Sequence, residues 1–167
     1  IGITGIWAVV LAVRENPNND ALIRVADVIM NARPTAVNLS WGVRKMLGYL
    51  LPRDPQQRLD VALKMAEELT QADVLTCRKI GEIGATLIAD KYRKCRRPVN
   101  VLTHCNAGWL ATVDYGTALS PIYLAFEQGV PVHVWVDETR PRNQGLLTAW
   151  ELAEQGIPHT LIVDNAG

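Results

Sequence analysis

Val99-Asn100-Val101-Leu102-Thr103-His104-Cys105-Asn106-Ala107-Gly108 decides the reading of this chain. Val99, Val101 and Leu102 have the branched, apolar character of a buried parallel strand, and Asn106-Ala107-Gly108 ends the run in residues that tolerate tight turns. Open α/β sheets place their sites at such strand ends. Cys105 is therefore expected at a sheet edge, beside backbone amides that can lower a thiol's pKa. A packing cysteine is the equal alternative, because unpaired cysteines are among the most often buried residues.

Downstream of this stretch the pattern alternates. Strands are expected at 99–103, 130–136 and 159–163, with helices at 121–128 and 148–155, which gives β-α-β-α-β. Parallel strands would line up their carboxyl ends, so that His104-Cys105-Asn106, Asp137-Glu138 and Asp164-Asn165 converge on one crevice. Upstream, helical spacing governs: 3–13, a second helix capped by Asn19 or Asp20, and 38–51 closed by Pro52 and Pro55. A helical run at 56–91 is expected to break in two at the capping pattern Thr70-Gln71-Ala72-Asp73. Cys77 reads as packing, and the basic run 91–97 as a solvated helix end. Pro98 marks the change of pattern, so the expected division is a helical part at 1–97 and an α/β part at 98–167.

The bulk numbers exclude several function classes. In 167 residues, 17 basic side chains balance 17 acidic ones, so nothing favours nucleic acid or an anionic membrane as partner. No apolar stretch is long enough to span a bilayer, and three cysteines without a C-x-x-C fit a reducing compartment, with the cytoplasm as default. Both ends of the sequence look cut. A metal site at Cys105 is not expected, because adjacent strand residues point to opposite faces and His104 could not share an ion with it. Phosphate-loop and dinucleotide fingerprints are missing, so no nucleotide cofactor is expected. What remains is a thiol at a strand end, amides near Ala107-Gly108 and Gly116-Thr117, acids after the neighbouring strands, and Arg33, which Pro34 should keep out of a helix. Those parts suit a small phosphorylated substrate, although Arg33 also reads as a solvated loop arginine.

Five stretches carry a resemblance. Asn31-Ala32-Arg33-Pro34-Thr35-Ala36-Val37-Asn38, Thr103-His104-Cys105-Asn106-Ala107-Gly108, Tyr115-Gly116-Thr117-Ala118-Leu119, Asp137-Glu138-Thr139-Arg140-Pro141 and Leu147-Thr148-Ala149-Trp150-Glu151-Leu152 closely resemble the methylthioribose-1-phosphate isomerase family, in its order and over nearly the whole chain. The resemblance implies interconversion of 5-methylthioribose 1-phosphate and 5-methylthioribulose 1-phosphate in methionine salvage, without metal or nucleotide, by a homodimer. It makes Cys105 the catalytic cysteine, Arg33 a phosphate-binding arginine and Gln144 a substrate-binding glutamine. It also implies an α/β architecture: a mainly helical N-terminal part followed by an open parallel-sheet, Rossmann-like part, incomplete at both ends.

The departures from the family are specific. Its Arg-Gly-Ala-Pro phosphate loop would come before Ile1, and the aspartate that partners its cysteine would come after Gly167. The spacing between Gln144-Gly145 and Leu147-Thr148 is one residue short. Asp164 is not promoted to the missing acid, although a strand-end position makes it a candidate for touching substrate. Isomerases of 5-deoxyribose 1-phosphate or ribose 1,5-bisphosphate are the neighbouring alternatives. The regulatory subunits of translation initiation factor 2B share the fold without the Cys105-Asn106-Ala107-Gly108 pattern and give a non-catalytic alternative, and an inactive remnant gives a third.

Overall fold

The computed structural model describes residues 1–33, 35 and 37–167. Pro34 and Ala36 of the first family motif lie outside the described residues. By packing, the chain divides into two compact units, Ile1–Asp73 and Val74–Gly167.

In the first unit, α1 (Gly2–Glu15), α2 (Asn19–Asn31), α3 (Val37–Leu50) and the first turns of α4 (Arg58–Cys95) enclose one core. Ile6, Val9, Val10 and Val13 of α1 meet Leu22 and Ala26 of α2, Val43, Met46 and Leu50 of α3, and Ala62 and Ala66 of α4. These are the apolar stripes that helical spacing marks out. A methyl at Gly42 would come within 2.7 Å of the Gly2 carbonyl oxygen, so α1 and α3 cross backbone against backbone. Arg58 is 2 % exposed, and among the described residues none of its hydrogen-bond acceptors is a carboxylate. Its guanidinium donates instead to the carbonyls of Arg53 at 3.0 Å, Leu51 at 2.9 Å and Pro17, and to Asn19 Oδ1 at 2.6 Å. One buried cation thus fastens the loop before α2 to the loop before α4, satisfying carbonyls that burial would otherwise leave orphaned.

The expected break at Thr70-Asp73 does not occur: α4 runs unbroken from Arg58 to Cys95. An N-cap hydroxyl accepts a hydrogen bond from an amide two or three residues on. The Thr70 hydroxyl donates back to the Ala66 carbonyl at 2.7 Å and accepts from Trp7 Nε1 at 3.1 Å, so it is engaged inside one helix rather than capping a new one. Among the described residues no helix is long and apolar enough to cross a membrane.

The second unit is built on a parallel sheet in the order β1-β2-β3, from β1 (Val99–Thr103), β2 (Val132–Asp137) and β3 (His159–Ile162). Val99 pairs with Val132, Thr103 with Val136, and Asp137 with Ile162. The intervening helices are α5 (Ser120–Glu127) and α6 (Gly145–Glu154). Val99, Val132, Val134 and Val136 pack with Leu119, Ile122, Tyr123 and Ala125 near α5, Leu152 of α6, and Ala85 of α4. The sequence alternation is therefore found, with β2 starting two residues late and α6 three residues early. The second half of α4 belongs with the sheet: the Ser120 hydroxyl donates to the Cys77 carbonyl at 3.0 Å, and methyls at Gly81 and Gly84 would strike Ser120 and Pro121. For that reason the compact units divide at Asp73, within α4, while the change from helices to alternation falls at Pro98.

Candidate active site

The segments that follow the strands meet at the carboxyl edge of the sheet. Just past β1, Cys105 holds a left-handed backbone with φ of 64°, a conformation that a side chain makes costly. Its neighbours hold it there. The Cys105 amide donates to Thr139 Oγ1 at 2.8 Å, and the Cys105 carbonyl accepts from Thr148 Oγ1 at 2.7 Å. The thiol is half-buried. The strand alternation that separated His104 from Cys105 stops at this residue, because a positive φ breaks the pleat.

The fixed point of the loop is Glu151 on α6, which is fully buried. One of its carboxylate oxygens accepts from Asn106 Nδ2 at 2.8 Å and the Leu110 amide at 3.2 Å; the other accepts from the Trp109 amide at 2.9 Å and the Tyr123 hydroxyl at 2.7 Å. Asn106 Nδ2 also reaches Thr148 Oγ1 at 3.1 Å. Burial, and then the bond to Glu151, push the Tyr123 phenol well above the usual tyrosine range, which keeps it a donor. Gly108 lies so close to Glu151 that any side chain there would collide with the carboxylate. Gly116, at φ 78°, lies equally close to Ala107 and Gly108.

These contacts narrow the set of amides that could serve a phosphate. The amides of Trp109 and Leu110 are engaged by Glu151, and those of Thr117 and Ala118 by the Ala107 carbonyl at 2.9 and 3.2 Å. They are not available to an incoming phosphate, because each N–H has a single hydrogen to give.

At the end of β2, Asp137 is buried and takes His104 Nδ1 at 3.1 Å, orienting an imidazole that is otherwise exposed. Asp164, after β3, accepts the Thr139 amide at 2.7 Å and the Arg140 amide at 2.8 Å. The Arg140 bond first, and then the Thr139 bond, hold its carboxyl below the usual aspartate range. Asp164 thus braces the β2–α6 loop. His104, Asp137 and Asp164 place one possible metal-ligand atom each within 4.8 Å of one another, a grouping that pairing His104 with Cys105 did not anticipate. The three converge as the parallel strand ends required.

Gln144 sits at the N-cap of α6, half-buried, and its carbonyl accepts the Leu147 amide at 3.0 Å. Thr148, one turn on, hydrogen-bonds the Cys105 carbonyl, so Gln144 and Cys105 are tied to the same turn of helix. Gly145 allows this: a side chain there would run into the Asp137 carbonyl. Arg33 belongs to the first unit, where it stands outside α2 with its side chain exposed. It borders an open hollow of about 570 Å³ with Asn31, Thr35, Ser40 and Arg44.

Residues 9–167 match the model of the initiation factor 2 subunit family. The chain belongs to the initiation factor 2 subunit family. Among its relatives, a protein of Methylobacterium nodulans named methylthioribose-1-phosphate isomerase is 55 % identical over 168 residues, covering 100 % of this chain and 46 % of its own length. The chain thus spans about half the length of the curated relatives it matches. A crystal structure of 5-methylthioribose 1-phosphate isomerase from Pyrococcus horikoshii superposes with a TM-score of 0.81 at 30 % identity, over 99 % of this chain and 47 % of that one. The crystal structure of translation initiation factor eIF-2B, subunit delta, from A. fulgidus gives 0.77 at 41 % identity, over 98 % and 48 %. The resemblance carried by the five motifs is thereby shown, as is the helical-plus-parallel-sheet fold.

Within this family fold, sequence reasoning missed the polar residues that hold Cys105. Glu151 and Thr148 stand within a quoted motif, three residues apart on one helix face, and Glu151 directly precedes the buried Leu152. Residue type gave no signal for Glu151, since a charged residue on a helix reads as solvated on its own.

Proposed function

We propose that the protein carrying this chain is an aldose-ketose isomerase that converts 5-methylthioribose 1-phosphate to 5-methylthioribulose 1-phosphate in methionine salvage. The observation that carries this reading is Cys105, a thiol held on a left-handed backbone at the carboxyl edge of the sheet, in a chain whose relatives bear that enzyme's name. Arg33 is assigned to the substrate phosphate, which a guanidinium can grip with paired hydrogen bonds, and Gln144 to the sugar. The working form is a cytoplasmic homodimer.

The chemistry needs no outside oxidant or reductant. A phosphate on C1 blocks the ring opening that a free aldose undergoes unaided, so a proton must reach the ring oxygen as the bond from C1 breaks. Hydrogen then leaves C2 and arrives at C1, while the C2 hydroxyl gives up its proton to become the ketone. Composition is unchanged. Cys105 is placed at C1 and C2 as one of the two proton-handling groups, with the family's downstream aspartate as the other.

Turnover by the whole protein tests this. Replacing Cys105 by serine is expected to abolish conversion of 5-methylthioribose 1-phosphate in a protein that still folds, and undiminished turnover refutes the assignment. Comparing that sugar with 5-deoxyribose 1-phosphate and ribose 1,5-bisphosphate decides among related isomerases. A second, non-catalytic reading is favoured by the 41 % identity to the eIF-2B delta subunit structure. It gains if no sugar phosphate is turned over and a protein partner is bound stably.

A further inference from the structure

We propose that Glu151, acting with Thr148, is the positioning residue that sets the geometry of the Cys105 loop: a clamp on one face of α6 that holds the segment carrying the thiol and ties down the amides of Trp109 and Leu110. Three features of the contacts support it.

The first is how completely the loop is held from one helix. Thr148 Oγ1 takes the Cys105 carbonyl, Asn106 Nδ2 spans Thr148 and Glu151, and Glu151 takes the amides of Trp109 and Leu110. The Cys105 carbonyl, the Asn106 side chain and the Trp109 and Leu110 amides are therefore bonded to two side chains one turn apart. The second is the fit. Gly108 has no room for a side chain against Glu151, so the carboxylate and the loop backbone define each other's positions. The third is charge. A buried carboxylate is tolerated only where donors surround it, and here the donors are backbone amides, an asparagine and the Tyr123 hydroxyl, with no cation among the bonded groups.

Nothing in this arrangement brings Glu151 to the substrate. Its effect passes through Cys105: without the carboxylate, Asn106 and the Trp109 and Leu110 amides lose their common acceptor, and the left-handed residue keeps only its bonds to Thr139 and Thr148.

The test uses the whole protein with Glu151→Gln and, separately, Thr148→Val, which removes only the hydroxyl. Alkylation of Cys105 by iodoacetamide is followed by peptide mass spectrometry, with Cys95 in the same molecule as internal reference, and folding is checked by circular dichroism. The Cys105-to-Cys95 rate ratio is expected to rise about fivefold or more in each variant as local opening exposes the thiol. Resting on the isomerase reading, kcat is expected to fall about tenfold or more with KM changed by less than about threefold, since orientation is lost and binding is not. An unchanged or lowered alkylation ratio in a folded variant overturns the clamp. If Glu151→Gln does not fold, Thr148→Val decides by the same ratio. Failure of the wild-type protein to turn over sugar phosphates overturns the isomerase reading alone, because the alkylation ratio does not depend on turnover.

Discussion

Replacing Cys105 by glycine is expected to make the protein more stable than replacing it by alanine. Both changes delete the thiol, so the two variants differ only in the β-carbon. At φ 64° that carbon crowds the following carbonyl, a left-handed penalty of roughly 1–2 kcal/mol. Against this, glycine has more backbone freedom to lose on folding, about 0.5–1 kcal/mol. The balance favours glycine by about 1 kcal/mol. Urea denaturation followed by circular dichroism reads this as a midpoint higher by about 0.3–0.5 M, for a slope of about 2–3 kcal/mol per molar. Thr103, two residues earlier and inside β1, supplies the control, because there the order is expected to reverse, with alanine above glycine by about 0.5–1 kcal/mol. A Cys105→Gly protein less stable than Cys105→Ala would falsify the claim that the thiol sits on a strained backbone. The expected result would mean that the chain gives up stability at the residue assigned to catalysis, as strained functional positions do.

Arg58→Met is expected to cost about 3 kcal/mol in chemical denaturation, since several carbonyls lose their donor at once, with Arg58→Lys recovering part; a cost under about 1 kcal/mol would show that the cation is dispensable. Tyr123→Phe should destabilise by about 1–2 kcal/mol through the lost bond to Glu151. Because the phenol's folded pKa is raised, that contribution is complete below the unfolded value of about 10 and fades as pH rises further, so the gap between wild type and variant should narrow in alkaline titration. Asp164 has the opposite sign. Its folded pKa is depressed by the Arg140 and Thr139 amides, so its contribution is present above the unfolded value of about 3.9 and is lost as pH falls through the folded one. Asp164→Asn should therefore weaken the protein near neutrality and converge with wild type in acid, and a gap that does not change with pH would refute the bracing role.

What the sequence made legible was periodic or local. Strands at 99–103 and 159–162 and the helices between them follow from alternation and turn residues, and the convergence of His104, Asp137 and Asp164 follows from parallel strands sharing an edge. The continuity of α4 was illegible because Thr70 has two uses, capping or back-bonding, and Trp7 selects between them from 63 residues away. Arg58 and Glu151 were illegible for a related reason. Each is a charged residue on a helix, which on its own reads as solvated, and its partners lie up to 41 and 45 residues distant.

The same contacts redirect the question of what would hold a phosphate. Strand-end loops of α/β proteins commonly offer amides to anions, and the glycine-bearing segments 105–118 looked suited to that use. Here Glu151 takes the amides of Trp109 and Leu110, and the Ala107 carbonyl takes those of Thr117 and Ala118. Under the isomerase reading, Arg33 is the side chain of this chain assigned to the phosphate. A guanidinium keeps its charge at any working pH and matches a phosphate in two parallel bonds, whereas lysine offers a point charge. Arg33→Lys in the whole protein is accordingly expected to raise KM about tenfold or more while kcat changes less, the pattern of lost ground-state binding. A KM unchanged within about twofold would remove Arg33 from the phosphate and return it to the role of a solvated loop residue.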